Sequence, residues 1–171
     1  MKKIVSFLIL AFCMLALFSV AASAVTLETE ITAGEPSAFV GIESKWTITI
    51  TICQYDAETL EDVVVQGGIG ADLVVTDPEV SGVTLTKKGK GKMGATIVTW
   101  DIGTLVSGDC LTLDLEVKTG LNPKDKQEFT SAEEGHELDG GFSATYWYEG
   151  IEYETLETEP LTVDVVGVEE E

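Results

Sequence analysis

The sequence predicts an all-β fold, a single antiparallel β-sandwich, and three observations carry that prediction. Apolar and polar residues alternate with period two along much of the chain. Turn residues recur every eight to twelve positions between those runs. After the first 24 residues, no segment holds an apolar period of 3.6.

The elements follow in order. Val25, Leu27 and Thr29 open the pattern as an edge strand, with Glu28 and Glu30 on its other face. Trp46, Ile48, Ile50 and Ile52 alternate with Thr47, Thr49 and Thr51, which describes a strand buried on one face. Shorter β-rich runs span 60–66, 71–76, 83–87 and 95–100. Leu111, Leu113, Leu115 and Val117 alternate with Thr112, Asp114, Glu116 and Lys118. Runs at 142–148 and 151–155 come next, and Leu161, Val163 and Val165 close the series. Turns are expected at Gly67-Gly68, Asp77-Pro78, Ser107-Gly108-Asp109, Asn122-Pro123, Gly140-Gly141 and Glu149-Gly150. Residues 56–62 offer one helical turn at most. About ten strands, each apolar on one face, need a second sheet about 10 Å away to cover that face. An eight-stranded ligand barrel is the competing architecture.

The chain has 171 residues, with 30 Asp and Glu against 10 Lys and no Arg, a formal charge of −20. Such a balance opposes nucleic acid, whose binding rests on cations that neutralise phosphates, and opposes docking on anionic lipid. Met1-Lys2-Lys3, the apolar run 4–20 and Ala21-Ala22-Ser23-Ala24 make the three parts of a secretory signal peptide, with cleavage before Val25. The reading is therefore a signal peptide over 1–24 and one β-sandwich domain over 25–171, exported or held at the cell surface. No later apolar stretch is long enough to cross a membrane. Removal of Lys2 and Lys3 with the leader would leave 30 acids against 8 lysines, or −22.

The stretch Val98-Thr99-Trp100-Asp101-Ile102-Gly103-Thr104-Leu105, followed by Gly108 and Thr112-Leu113, carries a resemblance. It resembles the V-T-W-x-I-G-T-L-x-x-G-x-x-x-T-L signature of the conserved-repeat domain, the domain-of-unknown-function-eleven family, of archaeal and bacterial surface proteins. The Thr-rich strand at 46–52 and the run Leu60-Glu61-Asp62-Val63-Val64-Val65 are similar to the same family, so that the family-like core spans 45–119 and additional strands fill 120–168. The resemblance implies an immunoglobulin-like sandwich in a cell-envelope protein and brings no catalytic residues with it.

Candidate sites are few. Cys53 and Cys110 either form a disulfide, as an oxidising compartment permits, or sit as two small buried hydrophobes. His136 is the sole histidine, in the acidic stretch Glu133-Glu134-Gly135-His136-Glu137, and reads as a solvated loop residue. Glu133, Glu134, Glu137 and Asp139 are weak calcium candidates by oxygen count, though no calcium-loop motif accompanies them; no other cofactor is expected. Lys87, Lys88, Lys90 and Lys92 make one basic island at a hairpin tip, a solvated turn or a docking knob for an acidic neighbour. Tyr146, Trp147, Tyr148 and Tyr153 form an aromatic hairpin, with Trp147 on the face opposite the tyrosines at 146 and 148. No nucleophile elbow or triad is visible. The expectation is a non-catalytic surface module that binds an envelope protein, a polysaccharide or a second copy of itself. The alternative is an extracellular carbohydrate-binding module built on the aromatic hairpin.

Overall fold

The computed structural model describes residues 25–55, 58–76, 78–87, 95–119, 129 and 131–167. Among them are twelve strands and no helix: β1 (Val25–Gly34), β2 (Ser37–Phe39), β3 (Lys45–Gln54), β4 (Leu60–Ile69), β5 (Leu73–Val75), β6 (Val83–Lys87), β7 (Thr96–Leu105), β8 (Cys110–Thr119), β9 (Glu133–Glu137), β10 (Asp139–Tyr148), β11 (Ile151–Glu154) and β12 (Thr162–Val166). Residues 1–24, including Cys13, lie outside the described residues, as do Lys88, Lys90, Lys92 and the expected turn at Asn122-Pro123.

Alternation explains the two large sheets. One has the order β1-β3-β8-β5 and the other β11-β10-β4-β7-β6. On β3, Trp46, Ile48, Ile50 and Ile52 are all buried, as are Leu113, Leu115 and Val117 of β8. The opposing sheet contributes Val63 and Val65 from β4, Val98 and Trp100 from β7, and Phe142, Ala144 and Tyr146 from β10. These side chains belong to one continuous core, and each large sheet ends in edge strands. The architecture is therefore an immunoglobulin-like antiparallel sandwich, with no closed barrel. Thr49 faces away from this core, yet it is shielded because Thr32 Oγ1 lies 2.7 Å from its hydroxyl and it donates to Asp114 Oδ1 at 2.6 Å. That chain of polar contacts ties β1, β3 and β8 together on their outer face.

Three features depart from the sequence reading. A third sheet, β2-β12-β9, adds Ala38, Val163 and Val165 to the same core, and its β12–β2 pairing is parallel. The acidic stretch expected as a loop is strand β9, which pairs with β12 from Thr162↔Glu137 onward. Gly67-Gly68 and Gly140-Gly141 are not turns between strands; they lie inside β4 and β10. Gly67 pairs with Phe142, and a side chain at Gly67 would collide with the Phe142 ring that lies over it. The glycine makes room for an aromatic ring. By contrast Glu149 and Gly150 do turn the chain, with φ of 49° and 76°, joining Tyr148 to Ile151 by two residues. Positive φ at both positions matches the right-handed twist of the flanking strands. Gly103 stands at a bulge, where the β4–β7 register shifts between Val63 and Val64.

Candidate functional site

The aromatic hairpin is β10 and β11. Register sets Tyr146 opposite Tyr153, Trp147 opposite Glu152 and Tyr148 opposite Ile151. Tyr146 is buried and stacks on Tyr153 with ring centroids 5.7 Å apart, and Tyr148 tilts against the same ring at 6.3 Å. Those three tyrosines belong to the core side. Trp147 is 40% exposed, whereas Trp46 and Trp100 are buried. One side chain farther along the chain, the pleat reverses direction.

Trp147 stands on the outer face of the five-stranded sheet. Beyond it, register aligns Ser143, Gln66, Thr99 and Thr84 across β10, β4, β7 and β6. A neighbouring row is Glu154, Thr145, Val64 and Asp101. Strands lie about 4.8 Å apart, so the first row presents polar groups at that interval, whereas Val64 interrupts the second. Gln66 Nε2 donates to Thr99 Oγ1 at 3.0 Å. Glu61 and Glu152 pair with Trp147 from either side. The whole is a platform of one indole, several hydroxyls, an amide and carboxylates.

Cys53 and Cys110 are direct partners in the β3–β8 register and form a disulfide with Cα atoms 4.1 Å apart. Sequence alone left them open because pairing depends on topology. Of the lysine island, only Lys87 is described; it ends β6, paired with Thr96 across the β6–β7 hairpin.

The acidic stretch is rearranged by its strand. Glu133, Glu134 and Glu137 are exposed, whereas Asp139 is buried. Among the described residues no group of three or more His, Cys, Asp or Glu is placed to hold a metal ion, so the four calcium candidates do not converge on one. Asp139 Oδ1 accepts the backbone N–H groups of Gly141 at 3.1 Å and Leu161 at 3.0 Å. Burial nonetheless pushes its carboxyl above the ordinary range; the two N–H groups oppose that rise and the charge of Glu137 adds to it. His136 is not a solvated loop residue. Its Nδ1 lies 3.1 Å from Glu133 Oε2 and its Nε2 2.9 Å from Asp72 Oδ2, with the Phe129 ring edge-on at 4.6 Å. No sequence signal pointed to Asp72, which reaches His136 from the β4–β5 connection.

No protein-family model matches the chain, and no curated protein matches it in sequence. Among solved structures it is similar to an exo-β-N-acetylglucosaminidase of Vibrio harveyi, with TM-score 0.44 and 11% identity over 84% of this chain. The chain spans 18% of the length of that enzyme. It is also similar to a cohesin module from a family 33 glycoside hydrolase of Clostridium perfringens, with TM-score 0.46 and 8% identity over 86% of this chain and 100% of that one. An uncharacterized Nocardia farcinica protein with an immunoglobulin-like fold gives TM-score 0.39 and 16% identity over 82% and 96% of the two chains.

Proposed function

We propose that this protein is an exported, non-catalytic immunoglobulin-like module that works at the cell surface by binding through the outer face of its five-stranded sheet. One observation carries the reading: Trp147 stands exposed on a mostly polar face, while the reverse of the same sheet is the core. An exposed indole on a regular strand contributes nothing to that core, and aromatic residues of this kind anchor interfaces. Export is supported by the leader composition and by the Cys53–Cys110 bond, since disulfides persist outside the reducing cytoplasm. Among the described residues, no helix is long and apolar enough to cross a membrane. The resemblance of 98–113 to the conserved-repeat domain supports an envelope setting. On this reading the partner is an envelope protein, a polysaccharide or a second copy.

A second reading is favoured by the rows beside Trp147. Hydroxyl and amide groups repeating at strand spacing, next to a flat indole, suit a carbohydrate chain lying across the strands. The carboxylates on the same face disfavour anionic polymers. Titration of neutral and acidic polysaccharides against tryptophan fluorescence tests it, because the other two tryptophans are buried and Trp147 dominates the accessible signal. The carbohydrate reading expects a saturable change with neutral glycans that Trp147→Ala abolishes. A flat signal with every glycan removes that reading. The broader proposal is then tested by fractionating producing cells. It expects envelope association that Trp147→Ala weakens; retention that Trp147→Ala leaves unchanged, or free release of both forms, overturns it.

A further inference from the structure

The five-stranded sheet ends in β6 on one side and β11 on the other, and among the described residues no strand lies beyond either. An edge strand presents a row of unpaired backbone N–H and C=O groups, a template for another strand. Every neighbouring pair in this sheet is antiparallel, so four reversals leave β6 and β11 running in the same direction. Their faces also agree. Val83 and Leu85 of β6 pair with the buried Trp100 and Val98, and Ile151 and Tyr153 of β11 pair with Tyr148 and the buried Tyr146, all on the core side. On the outer face β6 shows Thr84 and Thr86, and β11 shows Glu152 and Glu154, all four exposed. Both edges leave apolar surface uncovered: Ile151 is 56% exposed, and Val83, Leu85 and Tyr153 are only half-buried.

We propose that copies of this chain join edge to edge, β6 of one against β11 of the next in parallel, so that the five-stranded sheet runs on from copy to copy. With Val83 beside Ile151 of the next copy, Leu85 meets Tyr153, Thr84 meets Glu152 and Thr86 meets Glu154. Apolar side chains then cover one another on the core side, and hydroxyl donors meet carboxylate acceptors on the outer side. The molecule already uses this pairing internally. Thr49 donates at 2.6 Å to Asp114, its direct partner on β8, and Thr76 donates to Glu116 at 3.1 Å. Charge selects the same joint, since β6 carries Lys87 and no acid, whereas β11 carries two acids and no base. Two β11 edges would set carboxylates against carboxylates, and two β6 edges would gain no hydroxyl–carboxylate pair. Because the two joined surfaces differ, every assembly keeps a free β6 at one end and a free β11 at the other, and growth does not stop at a pair. The joint does not use Trp147, and it stands whatever the outer face binds.

Sedimentation velocity of the purified protein over a range of concentrations tests the proposal. It is run at about 0.15 M salt, where repulsion between copies of such net charge is screened within about 8 Å. The mean mass is expected to rise with concentration past that of a dimer. A variant carrying Thr84→Glu and Thr86→Glu sets carboxylates against Glu152 and Glu154 of the next copy, and should weaken association by about tenfold or more. A second variant, carrying Glu152→Lys and Glu154→Lys, loses the acceptors and should also associate more weakly than the parent. Mixed one to one, the two variants should recover growth, because each β6 then meets a complementary β11. All four positions are exposed, so the variants keep the fold, and an unchanged circular-dichroism spectrum verifies it. Trp147→Ala should associate as the parent does. A monomer at the highest soluble concentration, growth that stops at a dimer, association that the Thr84→Glu, Thr86→Glu variant leaves intact, or a mixture that fails to recover growth would each overturn the proposal.

Discussion

Single residues hold this fold at places where the side chain present, or absent, leaves no alternative. A Cβ at Gly67 would lie 2.6 Å from the Gly141 carbonyl oxygen and within the Phe142 ring. Relief requires displacing a fully buried aromatic, so Gly67→Ala should cost about 2 kcal/mol, in the range of overpacked cores. Urea denaturation measures it; an unchanged midpoint would show that the ring is free to shift. Asp139 makes a prediction in pH. Its folded carboxyl is raised by burial, so the folded state holds the proton more tightly than the unfolded chain, whose value is about 3.9. The resulting cost is absent below the unfolded value and complete above the folded one. Asp139→Asn should match the parent near pH 3 and become the more stable of the two as pH rises to neutrality. Denaturant midpoints across that range check the sign, and an advantage that shrinks with rising pH would contradict it. Trp147 was legible at this scale, since alternation alone set it opposite Tyr146 and Tyr148. Asp139 and His136 were not. Their surroundings come from Asp72, Leu161 and Phe129, which adjoin them only through tertiary pairing.

At the level of the strand, legibility followed periodicity. β3 and β8 were readable from alternation because each has one buried face, although Leu111 at the start of β8 is 36% exposed, and a slip of one position would turn the buried isoleucines and leucines outward. β2 and β9 were missed for a physical reason: three residues, and five with four polar side chains and a glycine, carry no period to detect. They are strands because β12 lies between them and satisfies their backbone groups. The paired glycines misled in the same way, since glycine marks a turn and a close approach alike. The β3–β8 pair also carries the disulfide, whose partners are 57 residues apart in sequence. In the chain-entropy model a loop of that length confines the unfolded chain by about 4 kcal/mol. Replacing both cysteines by Ser should therefore lower stability by about that amount while leaving the β-sheet circular-dichroism spectrum intact. Equilibrium unfolding of the oxidised protein and the double variant gives the number. A difference near zero would mean that these two inner strands hold their register without the covalent bond.

For the molecule as a whole, fold class was written in composition and alternation, whereas the third sheet and the surroundings of His136 arise only when distant segments meet. Charge is the remaining global term. Thirty acids against ten lysines, with no arginine, leave most carboxylates without a basic partner by stoichiometry alone. Folding gathers those charges onto a small surface, so self-repulsion opposes the compact state. Repulsion of this kind is long-ranged, and salt shortens its reach from about 30 Å at 0.01 M to about 10 Å at 0.1 M. The midpoint of thermal unfolding at neutral pH should accordingly rise by several degrees between those two concentrations. Any monovalent salt should serve: sodium chloride and tetramethylammonium chloride should act equally at equal ionic strength, because screening depends on charge and not on ion identity. A rise with sodium alone would indicate a bound ion in place of a screened field. A fall with both salts would mean that attraction between unlike charges outweighs the repulsion among the acids.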